Sequence, residues 1–407
     1  MNAHVKDRFS NKLSSLKLAF DQHTARKDRY KKILAKAAHT SSHEILESVF
    51  DLKNGISPTD LLNIGKQLTN AGTWIGHSYL RYLISHANFK HDGNKPSRSE
   101  EEEVILDHLI NNIPLNERYS HSEIFKTIYN EREFQHYYPN YKSPLRIPKT
   151  NITMVLISGV FNEIFSTAAF ERGAAHMSEN LGVKYFAADV HGSKDSDHNS
   201  ELIKEQLDQY ILENPNEKLW LFCFSKGGVD SLRFLNRYSD FANRHVVGFS
   251  AVASPILGSD HINNKLISTI SKIHELKDSK IYHLINERGG ILAKAFQDSL
   301  SSTHQRVWFR KNHKTLPKNP FYSAVAFEAS WYESHLWMML TKIIFKSAKS
   351  NDGIVDAENA LFPSYFNGLN LGILKGHHLV GTRSSFYCQE ALLESHIIIF
   401  KYLGLLD

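Results

Sequence analysis

The chain is poor in cysteine, and nowhere does it carry a long apolar run. Cys223 and Cys388 are the two cysteines in 407 residues. Two thiols cannot form a disulfide framework, and so small a supply suits a reducing compartment. No run approaches the roughly 20 apolar residues that a membrane-spanning helix needs. Met1 to Phe20 mixes charged and apolar residues without a continuous apolar core, so no secretory signal peptide is visible. A soluble, cytoplasmic protein is the expectation, with export by a route lacking a cleaved signal left open. The first 140 residues hold no glycine-rich phosphate loop and no internal repeat. The 23 histidines offer no pair at close helical spacing with an acidic companion, so no metal site is expected.

A large surplus of charge is also missing, since the formal net is +5. Its distribution is uneven. The first 40 residues carry ten Lys or Arg against three Asp, a local net of +7 that leaves −2 for the rest. Contact with an anionic membrane surface would therefore be a property of the basic N-terminal helix, the alternative being a solvated helix face. No recognised nucleic-acid-binding module accompanies the basic stretch, so a nucleic-acid partner is not expected. Nothing in the chain indicates an oligomeric state.

What the chain does have is enough apolar material to fold: 42% hydrophobic and 11% aromatic residues. That composition argues against dominant disorder, and the length suits two domains. Val5, Phe9, Leu13, Leu16 and Phe20 recur at spacings of three and four, one face of a helix. Ser57 with Pro58 and Asp60 is a helix start, followed by Leu61, Ile64 and Leu68 on one face and Gly72 as a stop. Ser99 with Glu102, and Ser120 with Glu123, have capping-box spacing ahead of apolar runs. These signals predict a helical accessory domain over residues 1–148, closed by a Pro- and Tyr-rich linker from Tyr137 to Pro148.

After the linker the pattern changes. Ile152 to Ile157, Leu219 to Phe224 and Val246 to Val252 are short, nearly continuous apolar runs separated by amphipathic helical stretches. That alternation predicts an α/β domain over residues 149–407, a mostly parallel sheet flanked by helices. Ile281 to Ile285, Tyr322 to Phe327 and Leu371 to Leu374 are candidates to extend the sheet.

One strand runs directly into a helix through Cys223-Phe224-Ser225-Lys226-Gly227-Gly228. A serine on such a turn is lifted above the sheet edge where a base can reach it, and small neighbours let the backbone pass closely. The helix N-terminus beneath favours developing negative charge. Upstream, Ser158-Gly159-Val160-Phe161 ends a strand in a glycine turn. Downstream, Asn351-Asp352-Gly353 forms a loop in which the Gly353 turn would expose Asp352, with Asp356 as the alternative acid. His377 and His378 follow the last predicted strand. A histidine there could take the serine proton and return it to a leaving group, while an acid fixes its tautomer.

These segments, with Ala253-Ser254-Pro255-Ile256-Leu257-Gly258-Ser259, resemble the lipase branch of the α/β-hydrolases, particularly bacterial triacylglycerol lipases. The likeness covers roughly the last 250 residues. It departs from the usual pattern at Cys223, where glycine is common, at Ser158, where lipases usually carry His, and at His377, where Asp is common. The resemblance implies Ser225 as nucleophile, with Asp352 and His378 following in the chain order of that fold. It favours His378 over His377 because such hydrolases often place a short polar residue before the catalytic His and an aliphatic one after it. It also implies an oxyanion hole from the backbone N–H groups of Lys226 and of Val160, with Phe161 as the alternative to Val160.

The insertion between about residues 260 and 320 has the place of a lipase lid. Trp308 and Phe309 stand there among Arg306, Arg310, Lys311 and Lys314. It would suit an acyl chain with an anionic head group, or else be packing helices with a basic solvated edge. The implied activity is hydrolysis of carboxylic esters of lipid or other hydrophobic acyl substrates, without a cofactor. Thioesterase, polyester depolymerase and acyltransferase chemistry on the same residues, or a non-catalytic binding role, are the alternatives.

Overall fold

The computed structural model describes residue 96 and residues 98–406, apart from 116–117, 139, 161–167, 261–293, 330–348, 383–384 and 386. The helices predicted around Val5–Phe20 and after Ser57, and the strand predicted at Ile281–Ile285, lie outside the described residues. Among the described residues one sheet forms from β1 (Thr153–Ile157), β2 (Lys184–Ala188), β3 (Leu219–Phe224), β4 (Val246–Val252), β5 (Phe321–Glu328) and β6 (Leu369–Lys375). Every pairing is parallel, and the order is β2-β1-β3-β4-β5-β6. The chain moves outward from β1 to β2, then returns to the other side of β1 and adds the remaining strands. In such sheets the carboxyl ends around the reversal form the ligand crevice.

The helices in chain order are α1 (Glu100–Ile110), α2 (His121–Tyr137), α3 (Glu171–Leu181), α4 (Ser196–Glu213) and α5 (Lys226–Arg237). They continue with α6 (Ser239–His245), α7 (Lys294–Leu300), α8 (Ser302–Asn312) and α9 (Gln389–Tyr402). Alternation along each strand divides the core in two. Met154, Leu156, Trp220 and Phe222 join Ala174 and Met177 of α3 and Leu392, Leu393 and Ile397 of α9. Val155, Ile157, Leu221 and Cys223 join Ile203 and Leu207 of α4, Leu232 and Leu235 of α5 and Phe309 of α8. Continuous apolar runs are required here because β1 and β3 are covered on both faces. β2 escaped sequence reasoning for the converse reason: it is an edge strand, buried fully only at Ala188.

Both predicted capping boxes form, at Ser99 with Glu102 and at Ser120 with Glu123. The helices they start do not belong to a separate unit. Ile105 and Leu106 of α1 and Ile124, Phe125 and Ile128 of α2 lie in the same apolar cluster as Trp220 and Phe222. A boundary at residue 148 therefore cuts through one continuous core. A buried ion pair adds to the attachment, Arg132 Nε donating to Glu394 Oε2 at 2.8 Å. Burial pushes the Glu394 carboxyl up, but His136, His176 and Arg132 outweigh it and hold the group well below the usual carboxylate range.

Residues 261–293 of the expected lid are outside the described residues. The rest of that insertion packs as α7 and α8. Phe309 is fully buried against Phe362 and Phe366, and the Arg233 guanidinium lies 3.9 Å from the centre of the Trp308 ring. Arg306, Arg310, Lys311 and Lys314 are exposed. Over this stretch the packing-helix alternative, with its basic solvated edge, describes the molecule.

His396 sits deep in the core among Phe125, Trp220, Phe222 and Phe400. Its Nδ1 meets the carbonyl of Leu392 at 2.7 Å, while Nε2 has no hydrogen-bond partner. Burial lowers its pKa from 6.5 to about 4. Between those values the unfolded chain binds a proton that the folded chain refuses, so stability falls as pH drops from 6.5 toward 4. The loss amounts to about 3 kcal/mol at its limit. Replacing His396 by Leu should flatten the dependence of denaturant-derived stability on pH in that window; an unchanged slope would contradict the burial of a neutral imidazole.

Candidate active site

Ser225 stands at the junction of β3 and α5 with φ 52° and ψ −129°. A non-glycine residue at positive φ stores about 1–3 kcal/mol and persists only where its surroundings hold it. Here the Ser225 N–H donates to the Val252 carbonyl at 3.0 Å, tying the turn to the end of β4. Glycines bring the neighbouring backbone close. A Cβ on Gly159 would lie 2.7 Å from the Ser225 Cβ, and one on Gly227 would lie 2.4 Å from the carbonyl oxygens of Ile157 and Ser158. Cys223, at the departure from glycine, is fully buried and its Sγ donates to Ser231 Oγ at 3.2 Å. Burial pushes its thiol pKa well up, so it acts as a small core side chain.

Three side chains meet above the strand ends. Ser225 Oγ is 2.8 Å from His378 Nε2, and His378 Nδ1 is 2.7 Å from Asp352 Oδ2. They come from the segments following β3, β6 and β5 respectively, all at the carboxyl edge. The Asp352 carboxylate is fixed from behind, Oδ1 accepting from the N–H groups of Ile354 at 2.9 Å and Val355 at 2.8 Å. The backbone locks the pair as well, His378 N–H donating to the Asp352 carbonyl at 2.9 Å. Asp352 is 1% exposed, and Ser225 and His378 are each 7% exposed. Such a series can move a proton from the serine to the imidazole while the carboxylate stabilises the resulting imidazolium.

The alternatives occupy other places. His377 caps the short helix His378–Gly381, its Nδ1 accepting from the Leu379 N–H at 3.2 Å. Asp356 precedes the short helix Ala357–Ala360 and bridges to Asn351. Lys226 is the first residue of α5, and its side chain turns into the core. Its Nζ donates to both carboxylate oxygens of Asp230 at 2.8 Å, and Asn199 Nδ2 donates to Asp230 Oδ2 at 2.7 Å. Burial raises the Asp230 carboxyl above its ordinary value against the pull of the Lys226 ammonium. The Lys226 side chain is therefore committed to Asp230. Val160 is half-buried in the turn after β1, and Phe161 lies outside the described residues.

Several supporting contacts were not anticipated. Ser259 Oγ donates to the Ile354 carbonyl at 3.0 Å and Leu257 N–H to the Asn359 carbonyl at 3.0 Å, binding the segment after β4 to the acidic loop. Gln389 Nε2 donates at 2.8 Å to the carbonyls of Val380 and Thr382, bracing the turn that carries His378. The Lys226–Asp230 pair is the one with a local signal, its i,i+4 spacing.

No protein-family profile and no curated protein sequence matches the chain. Solved structures do. A metagenomic carboxyl esterase is similar over 64% of this chain and 79% of its own, with a TM-score of 0.51 and 23% identity. The chain has the α/β-hydrolase fold. The mature Bacillus licheniformis lipase BlEst2 is similar over 64% of this chain and 94% of its own, at 18% identity and TM-score 0.44. The RedJ thioesterase of Streptomyces coelicolor is similar at 14% identity and TM-score 0.32, over 65% and 98%. Within this α/β-hydrolase fold the elbow geometry makes a direct prediction. Gly227→Ala should destabilise the protein by at least about 2 kcal/mol in denaturant unfolding, because both obstructing atoms are backbone. Wild-type stability would contradict the close approach of β1 to α5.

Proposed function

We propose that the protein is a serine hydrolase that cleaves carboxylic esters of hydrophobic acyl groups through an acyl-enzyme. The observation that carries this reading is the unbroken path from Ser225 Oγ through His378 to Asp352, at 2.8 and 2.7 Å, on a strained strand-to-helix turn. Ser225 Oγ attacks the ester carbonyl carbon as its proton passes to His378 Nε2. The carbonyl oxygen gains the negative charge, and the backbone N–H groups of Lys226, at the α5 N-terminus, and Val160 receive it. Collapse expels the alcohol, which takes the proton from His378. Water then attacks the acyl-enzyme carbonyl as its proton passes to His378, and collapse breaks the bond to Ser225 Oγ, which takes that proton back as the acid leaves.

The hydrophobic substrate class rests on the lipase-like segments around Gly159, Ser254 and Asp352. A cytoplasmic location and membrane contact through the basic first 40 residues belong to the same reading. Among the described residues no helix is long and apolar enough to cross a membrane.

The test is turnover of p-nitrophenyl esters across acyl lengths. Ester hydrolysis should be measurable, with longer chains preferred to acetate. His378→Ala should lower kcat/KM by on the order of 10³-fold or more, while His377→Ala stays within about threefold of wild type. Equal losses, or the reverse ranking, would refute the assignment of the base.

A further inference from the structure

Away from the Ser225 crevice, two histidines and a glutamate from three helices converge. His136 of α2 and His176 of α3 both direct Nε2 at the carboxylate of Glu394 on α9, at 2.9 Å from Oε2 and 2.8 Å from Oε1. The three ligand atoms lie within 4.8 Å of one another. We propose that His136, His176 and Glu394 form a binding site for a zinc-class divalent ion that ties these helices together. The proposal does not rest on the ester-hydrolase reading.

The donor set is two imidazoles and one carboxylate, which suits zinc and its transition-metal neighbours and not the all-oxygen preference of magnesium or calcium. A tetrahedral ion about 2.1 Å from each ligand atom separates those atoms by roughly 3.4 Å. The two imidazole–carboxylate approaches of 2.9 and 2.8 Å would open by about half an ångström to reach that spacing, and the ligand atoms as a set already lie within 4.8 Å of one another. Both Nε2 atoms already face the Glu394 carboxylate.

The surroundings are those of a held ligand. Arg132, itself buried, donates from Nε to Glu394 Oε2 at 2.8 Å and from Nη1 to Gln135 Oε1 at 2.8 Å and the Leu145 carbonyl at 3.2 Å. Partners of this kind orient a ligating carboxylate. Asn180 Nδ2 donates to the His176 carbonyl at 2.9 Å and meets His176 Nδ1 at 3.1 Å, which holds the orientation of that ring. Glu394 is almost wholly buried, whereas the side chains of His136 and His176 are 14% and 25% exposed. The imidazoles are thus partly open to solvent, and with three protein ligands a tetrahedral ion would take water as its fourth.

The consequence is mechanical. An ion here would fasten α2 and α3 to α9, whose first residue braces the turn carrying His378. It would stabilise the fold without touching the reacting groups. The expectation of no metal site came from spacing along the chain, and these ligands come from three separate helices.

Chelator-treated full-length protein should bind one equivalent of Zn²⁺ by calorimetry and give the visible d–d bands of a low-coordinate Co²⁺ site that Zn²⁺ abolishes. Its melting temperature should rise with Zn²⁺. His176→Gln and His136→Gln, each shown folded by circular dichroism, should weaken binding at least about 100-fold and lose the Co²⁺ bands. Absence of stoichiometric binding by folded wild type, or wild-type affinity retained in both variants, would overturn the site and leave an ion-pair cluster only.

Discussion

The strained backbone of Ser225 is the constraint on which the rest of the molecule depends. Its φ of 52° is unfavourable for serine, and only the strands on either side make it sustainable. β3 is buried on both faces and paired with β1 and β4, so the chain leaves it in one direction only. The glycines at 159 and 227 let the neighbouring backbone close on the turn from the β1 side. Hydrophobic burial on both faces of the sheet offsets the local cost, the usual arrangement when strain is kept at a working position.

From that fixed point the other groups are positioned by loops bound to one another. The acidic loop is held by the segment after β4 through Ser259 and Leu257. The His378 turn is held by Asp352 on one side and by Gln389 of α9 on the other. Arg172 of α3 adds hydrogen bonds to the carbonyls of Ser385 and Tyr387, in the stretch between His378 and α9. The C-terminal helix thus connects three things: the His378 turn, the covering helix α2 through Arg132 and Glu394, and α3 through His176. Gln389 at the start of α9 is thus a direct brace on the turn that carries the imidazole.

Much of this was legible in the sequence because it is encoded locally. Leu219–Phe224 and Val246–Val252 form strands with the bounds their apolar runs suggest. Ser99 and Ser120 cap helices because a serine oxygen and a glutamate three residues on satisfy each other's neighbouring N–H groups. Ser225 and His378 could be picked out because each follows a strand end, and Asp352 because the Gly353 turn and the chain order implied by the lipase resemblance pointed to it. What was not legible depends on distant partners. β2 carries too little apolar alternation to stand out, since an edge strand buries only part of its surface. The helices at 100–137 looked like a separate domain because nothing local records that their apolar faces cover the sheet. His136, His176 and Glu394 are as far apart as 258 residues, and only the packing of α2, α3 and α9 makes them neighbours.

The fold bounds the chemistry more tightly than the substrate, because the Ser225 turn is set by backbone geometry that many ester substrates could share. The central claim is that Ser225 is a nucleophile activated by its place on the elbow. The most direct measurement is reaction of the folded protein with a fluorophosphonate probe, followed by peptide mass spectrometry. The account predicts a single stoichiometric adduct on Ser225 Oγ that disappears in Ser225→Ala. Labelling at another residue, or no labelling of folded wild-type protein, would contradict it.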